Sequence, residues 1–158
     1  TSIKGMKTKS SPHGSVENPI NPIPMAIVGG ATYVARAYSA KQKHLVDILK
    51  GAIEHRGFSF VDVFSPCVTY NKDNTFKWFN PRVKILEEEE SYDPTDFHAS
   101  LDKGYMWGEE IPIGLIWKRN DLPSLEELEP VLDEGGPLAH RKLGISKEQA
   151  DNLIKEML

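Results

Sequence analysis

The chain has one cysteine, Cys67, in 158 residues. A single thiol cannot close an internal disulfide, which excludes a disulfide-stapled secreted scaffold. No apolar run approaches the roughly 20 residues that a bilayer-crossing helix needs, so no membrane partner is expected. Positive charge is not in surplus: 19 Lys and Arg face 23 Asp and Glu, for a net charge of -4. That balance argues against a nucleic-acid partner held by a global basic surface. Neither the G-x-G-x-x-G fingerprint nor a P-loop is present. No signal-peptide pattern opens the chain, and the expected location is the cytoplasm. The first residue is Thr1 rather than Met, which suggests a processed, trimmed or partial chain.

What is there reads as α/β. Residues 1–24 are broken by Pro and Gly and carry Lys4, Lys7 and Lys9, so a long ordered loop or extended arm is expected. Residues 25–28 predict a short helix, Gly29-Gly30 a break, and residues 32–36 a short buried strand. Residues 40–56 predict the clearest helix, with Leu45, Val46, Ile48, Leu49, Ala52 and Ile53 on one face. Ser39 is its expected N-cap, His55 and Arg56 suit the dipole of its last turn, and Gly57 stops it. Residues 58–64 are a strand by composition. Strand, helix and strand in this order predict a βαβ unit with parallel pairing. Ligands of such sheets gather beyond the carboxyl ends of the strands. The loop Ser65-Pro66-Cys67-Val68-Thr69-Tyr70-Asn71 falls at such an end.

Downstream the pattern loosens. Residues 76–81 are aromatic and basic, and residues 87–90 are an acidic run expected to be a solvated face. Residues 93–104 predict a helix starting near Asp93 or Thr95. Residues 111–117 predict a strand, with Pro112 favouring an edge or the strand's start. Residues 125–132 predict a short helix ended by Gly135-Gly136-Pro137. Ser146 and Gln149 have capping-box spacing for a last helix to Leu158.

Cys67 admits three readings from its own chemistry: a small buried hydrophobe, a nucleophile needing a base, or one metal ligand among several. Lys4, Lys7 and Lys9 suit a carboxylate or phosphate, or simply solvent. The five histidines show no metal spacing, and Trp78, Trp107 and Trp117 suit the core or contacts between subunits.

Several stretches together resemble the β subunit of the 2-oxoacid:ferredoxin oxidoreductases. They are residues 18–38, with Gly30-Ala31-Thr32-Tyr33-Val34-Ala35-Arg36; Lys43-His44-Leu45; Ile53-Glu54-His55-Arg56-Gly57-Phe58; Ser65 through Lys72; Asp93-Pro94-Thr95-Asp96; and Ile111-Pro112-Ile113-Gly114. The resemblance implies part of a thiamine diphosphate-binding parallel-sheet α/β domain, residues 1–75, and a C-terminal extension, residues 76–158. It implies an enzyme that decarboxylates a 2-oxoacid, forms an acyl-CoA from coenzyme A and reduces ferredoxin. The implied cofactors are thiamine diphosphate, Mg and a 4Fe-4S cluster, and the implied partner is the α subunit of a heterodimer. The family's Gly-Asp-Gly motif and N-terminal cluster cysteines are absent, as in a C-terminal half whose missing part precedes Thr1. Carried onto this chain, the distant cluster ligand is Cys67. By the same resemblance, Lys7 or Thr8 is the expected contact to the substrate carboxylate, with Lys4 nearby on the cofactor side. The rival expectation is a non-catalytic α/β interaction module whose Cys67 is buried and structural.

Overall fold

All six residues from Tyr33 to Tyr38 are buried. Burial on both faces is what a central strand demands, and Tyr, Val and Ala supply the packing. This computed structural model describes residues 3–8, 11–133, 135–141 and 144–157. Within it, residues 1–122 form one compact unit and residues 123–158 another. In chain order the first unit holds α1 (Pro22–Val28), β1 (Tyr33–Tyr38), α2 (Gln42–Glu54), β2 (Ser59–Phe64), α3 (Phe76–Phe79), β3 (Val83–Ile85), α4 (Phe97–Tyr105) and β4 (Ile111–Lys118). The strands make one four-stranded sheet in the order β2-β1-β4-β3.

The expected βαβ unit is there: β1 and β2 pair in parallel, from Tyr33 opposite Ser59 to Tyr38 opposite Phe64. The sheet as a whole is mixed rather than parallel, because β4 runs antiparallel to β1 while β3 runs parallel to β4. Pro112 is therefore not on an edge strand. It sits at the start of the interior strand β4, opposite Lys84.

Local caps correct several boundaries. Helix α1 begins at Pro22, because Asn21 accepts the Ile23 N–H at 3.3 Å and proline fits the first turn. Helix α2 has Lys41 at its N-cap, with no side-chain bond there. Ser39 instead donates its hydroxyl to Ser65 at 3.1 Å, tying the entrance of α2 to the loop after β2. Only Ile48 of α2 is fully buried, with Leu45 and Ala52 packed beside it, so the buried stripe is narrower than the apolar one. His55 is not a dipole cation. Its Nε2 lies 2.8 Å from Thr32 Oγ1, and burial, with Lys118 nearby, holds its pKa below the usual imidazole range. Asp96, not Asp93 or Thr95, caps α4 by accepting the N–H groups of His98 and Ala99 at 2.9 and 3.0 Å. Asp93 makes an Asx turn with Thr95 just before it. The acidic run is only partly a solvated face. Glu87 accepts the Leu115 N–H at 2.8 Å and meets His44 Nε2 at 3.1 Å, while Glu89 pairs with Lys103 at 2.6 Å.

The second unit holds α5 (Leu125–Leu128), α6 (Pro130–Asp133) and α7 (Lys147–Glu156). Pro130 begins a new helix where one continuous helix was expected, since proline lacks the N–H to carry α5 onward. The capping box at Ser146 and Gln149 is present. Leu158 lies outside the described residues. Among the described residues, no helix is long and apolar enough to cross a membrane.

One charge sits in the core of the first unit. Arg36, in the middle of β1, is 1% exposed. Its Nη2 donates to Gly104 O at 2.9 Å, and Nη1 donates to Met106 O and Pro112 O, each at 3.3 Å. Nε stands 3.6 Å from Asp62 of β2, close enough for an ion pair but too long for a good hydrogen bond. Burial lowers the Arg36 pKa, and Asp62 opposes that shift. Asn21 also donates to Gly104 O, at 2.9 Å, so one carbonyl gathers α1, β1 and α4. Gly104 has no Cβ for good reason: one would lie 2.9 Å from Ile23 Cγ2. Replacing Arg36 by Met removes the donors from three carbonyls and strands Asp62. The expected loss is roughly 3 kcal/mol in urea unfolding, and Arg36→Lys restores only part of it because an ammonium lacks the fork.

Candidate functional site

The opening arm is ordered by its own backbone. Gly5 N–H donates to Ser15 O at 2.7 Å and Ser15 N–H to Met6 O at 3.1 Å. Thr8 and Ser11 exchange both backbone bonds at 3.2 Å, and Thr8 Oγ1 accepts the Ser11 N–H at 3.1 Å. Gly14 has φ +94°, and a Cβ there would stand 2.9 Å from Gly5 O, so the two limbs of the arm can meet only at glycine. This folding brings Ile3, Met6 and Thr8 to one side, against the loop that follows β2.

That loop is held by Asn71. Its N–H donates to Cys67 O at 2.9 Å, closing a turn. Its Oδ1 accepts the N–H groups of Asp73 and Asn74 at 3.0 and 2.9 Å, and its Nδ2 donates to Asn74 Oδ1 at 3.2 Å. The loop thus satisfies its own polar atoms, which leaves Cys67 at the surface. The thiol is free and exposed.

Below the loop lies an aromatic floor. Tyr38 stacks on Phe64 at 4.7 Å between ring centroids, and Phe64 meets Phe79 at 4.9 Å. Trp107 completes it edge-on, 5.6 Å from Phe64 and 6.1 Å from Phe79. Burial raises the Tyr38 pKa, and its hydroxyl donates to Asn80 Oδ1 at 2.9 Å.

Arm, loop and floor enclose a cleft of about 390 Å³. Arm residues Ile3, Met6 and Thr8 form one wall, Ser65, Pro66 and Cys67 another, and Tyr70, Asn71, Asn74 and Trp107 the rim. Among the described residues, no ionised side chain lines it. With no histidine or carboxylate in the wall, the thiol has no general base, so the nucleophile reading loses its support. What the cleft offers is a soft sulfur donor, neutral hydrogen-bonding groups and π-faces. Among the described residues, no group of three His, Cys, Asp or Glu is placed to hold a metal. Cys67 can therefore supply one ligand, and any further ligands must come from another segment.

The structure brings two of the expected site residues, Thr8 and Cys67, to one cleft. Lys4 and Lys7 are exposed on the arm and do not line it, and Lys9 lies outside the described residues. A buried Cys67, on which the rival reading depends, is contradicted: the self-closed loop holds it in solvent. Asn71 and Trp107 are parts of this wall that sequence reasoning missed. Asn71-x-x-Asn74 was an available Asx-turn signal. Trp107 had none, since its place depends on contacts distant in sequence.

Two families match the chain in succession. "Thiamine pyrophosphate enzyme, C-terminal TPP binding domain" covers residues 1–63, and the C-terminal family of the pyruvate ferredoxin oxidoreductase beta subunit covers residues 67–134. The 2-oxoacid:ferredoxin oxidoreductase subunit beta of a Sulfolobus species is 38% identical over 133 residues, which is 78% of this chain and 44% of that protein. Its counterpart from Saccharolobus solfataricus is 39% identical, covering 78% of this chain and 43% of that protein. Among solved structures, a 2-oxoglutarate:ferredoxin oxidoreductase from Magnetococcus marinus, with 2-oxoglutarate, coenzyme A and succinyl-CoA bound, is similar at 34% identity. Its TM-score is 0.77, over 97% of this chain and 50% of that one. The chain thus spans about half the length of the relatives it matches.

An exposed thiol is directly testable. Iodoacetamide should modify one residue, Cys67, in the native chain at a rate close to that in urea. Protection that vanishes only on unfolding would contradict the exposed placement.

Proposed function

Since this chain belongs to the β-subunit family of the 2-oxoacid:ferredoxin oxidoreductases, we propose that it works as part of such an enzyme. The reaction is oxidative decarboxylation of a 2-oxoacid to an acyl-CoA, with electrons passed to ferredoxin, in a cytoplasmic complex with an α subunit. The observation that carries this reading is the cleft itself: the arm and the Cys67 loop, far apart in sequence, form two walls of one cleft at the carboxyl end of β2. A boundary near residue 75 separates the cofactor-domain part from the extension.

When bound, thiamine diphosphate with its Mg would supply the carbanion chemistry of 2-oxoacid decarboxylation. The described residues hold no carboxylate cluster suited to Mg, so its ligands belong to another segment. The share of this chain is positional. The arm residues Ile3, Met6 and Thr8 wall off water on one side of the reacting centre. Thr8 offers a hydroxyl to the substrate, while Lys4 and Lys7, exposed on the same arm, supply positive charge for the diphosphate and for the substrate carboxylate.

Cys67 fits a 4Fe-4S cluster as a single thiolate ligand. It is exposed, sulfur-bearing and set in a hydrogen-bonded turn, and the other three ligands must lie outside this chain's described residues. Neighbouring N–H groups and the aromatic floor would then set the polarity around its sulfur.

Two variants of the intact complex test these roles. Cys67→Ala should lose the iron and acid-labile sulfide of that cluster; full retention of both would rule out the ligand role. Lys7→Ala should raise KM for the 2-oxoacid while the complex keeps its thiamine diphosphate. An unchanged KM for every 2-oxoacid tried would remove Lys7 from the site.

A further inference from the structure

Trp107, on the rim of the cleft, is tied to the core of the first unit through Arg36. It is 51% exposed, unusual for so large an apolar ring. The backbone on both its sides is constrained. Met106 O accepts from the buried Arg36 guanidinium at 3.3 Å, and Gly108 has φ +120°, which a residue with a Cβ rarely adopts. The ring itself lies 5.4 Å from the Arg36 guanidinium carbon, within cation–π range. Its other contacts are edge-on to Phe64 and Phe79. Phe64 ends β2 and leads directly into Ser65-Pro66-Cys67.

The geometry points to Trp107 as a positioning residue for the Cys67 loop. Arg36 fixes the segment 104–112, that segment holds Trp107, and the indole pins Phe64 at the root of the loop. The thiol is thereby held in one place although it is exposed to solvent. Asn71 closes the far end of the same loop, so the two together define where the sulfur sits. The functional meaning rests on the reading of Cys67 as a cluster ligand; the positioning does not.

The single cysteine makes the test simple. A nitroxide attached to Cys67 of the full chain reports the mobility of its loop by electron paramagnetic resonance. Trp107→Ala should narrow the lines, marking a looser loop, and Trp107→Phe, which keeps an edge-on ring, should stay close to the wild-type shape. Leu101→Ala, a core change away from the cleft, should lower thermal stability and leave the lines alone. Should Trp107→Ala not fold, Trp107→Leu keeps apolar bulk without a ring and carries the same expectation. Unchanged lines in the folded variant, or equal narrowing in Leu101→Ala, would overturn the proposal. In the intact complex, Trp107→Ala should also shed cluster iron faster than wild type during chelator challenge. Loosened lines alongside full iron in Cys67→Ala would sink the ligand reading and leave the positioning role standing.

Discussion

The buried guanidinium of Arg36 is the interaction on which the first unit depends. Taking an unpaired cation out of water costs several kcal/mol, so it persists only where acceptors converge on it. Here three carbonyls and the Asp62 carboxylate do so, from α4, from the segment beyond it, from β4 and from β2. None of these acceptors is close to Arg36 in sequence, except through the sheet. A single side chain thus fixes how the later half of the unit folds back on the βαβ unit. The mixed sheet follows from the same return: β4 enters beside β1 in the antiparallel sense, with Arg36 opposite Gly114.

That arrangement has a consequence at the surface. The carboxyl end of β2 is left open, and the returning segment delivers Trp107 to it. The wall so formed is aromatic and sulfur-bearing, and among the described residues no His, Asp, Glu, Lys or Arg lines it. The aromatic floor also explains why the loop tolerates exposure of its thiol. Phe64, Phe79 and Tyr38 supply the packing, so Cys67 is not needed for burial.

Much of the local structure was legible in the sequence because local rules govern it. The βαβ unit followed from hydrophobic period and a glycine stop, and the last helix from its capping box. The errors fell where one local signal outcompeted another. Asn21 caps α1 before the expected start, and Asp96 prevails over Asp93 as the cap of α4, Asp93 being engaged in its own turn with Thr95. Pro112 stands at the strand's start, one of its two expected places, but that its strand is an interior one was not legible before its partner strands were known. Arg36 belongs to a recognisable stretch of sequence, yet its carbonyl acceptors lie at separations of 68 to 76 residues, beyond the reach of any local rule. The cleft was half legible. The Cys67 loop and the arm could be singled out by composition, but only the fold puts Thr8 and Cys67 in one cleft and leaves Lys4 and Lys7 off its lining.

We propose that this chain is a working part of a 2-oxoacid:ferredoxin oxidoreductase. The most direct measurement is reduction of ferredoxin, or of methyl viologen in its place, by the purified complex that contains this chain, with a panel of 2-oxoacids. The reduction should require both a 2-oxoacid and coenzyme A and should stop when thiamine diphosphate is removed. A complex that binds no thiamine diphosphate and reduces neither acceptor with any 2-oxoacid would contradict it.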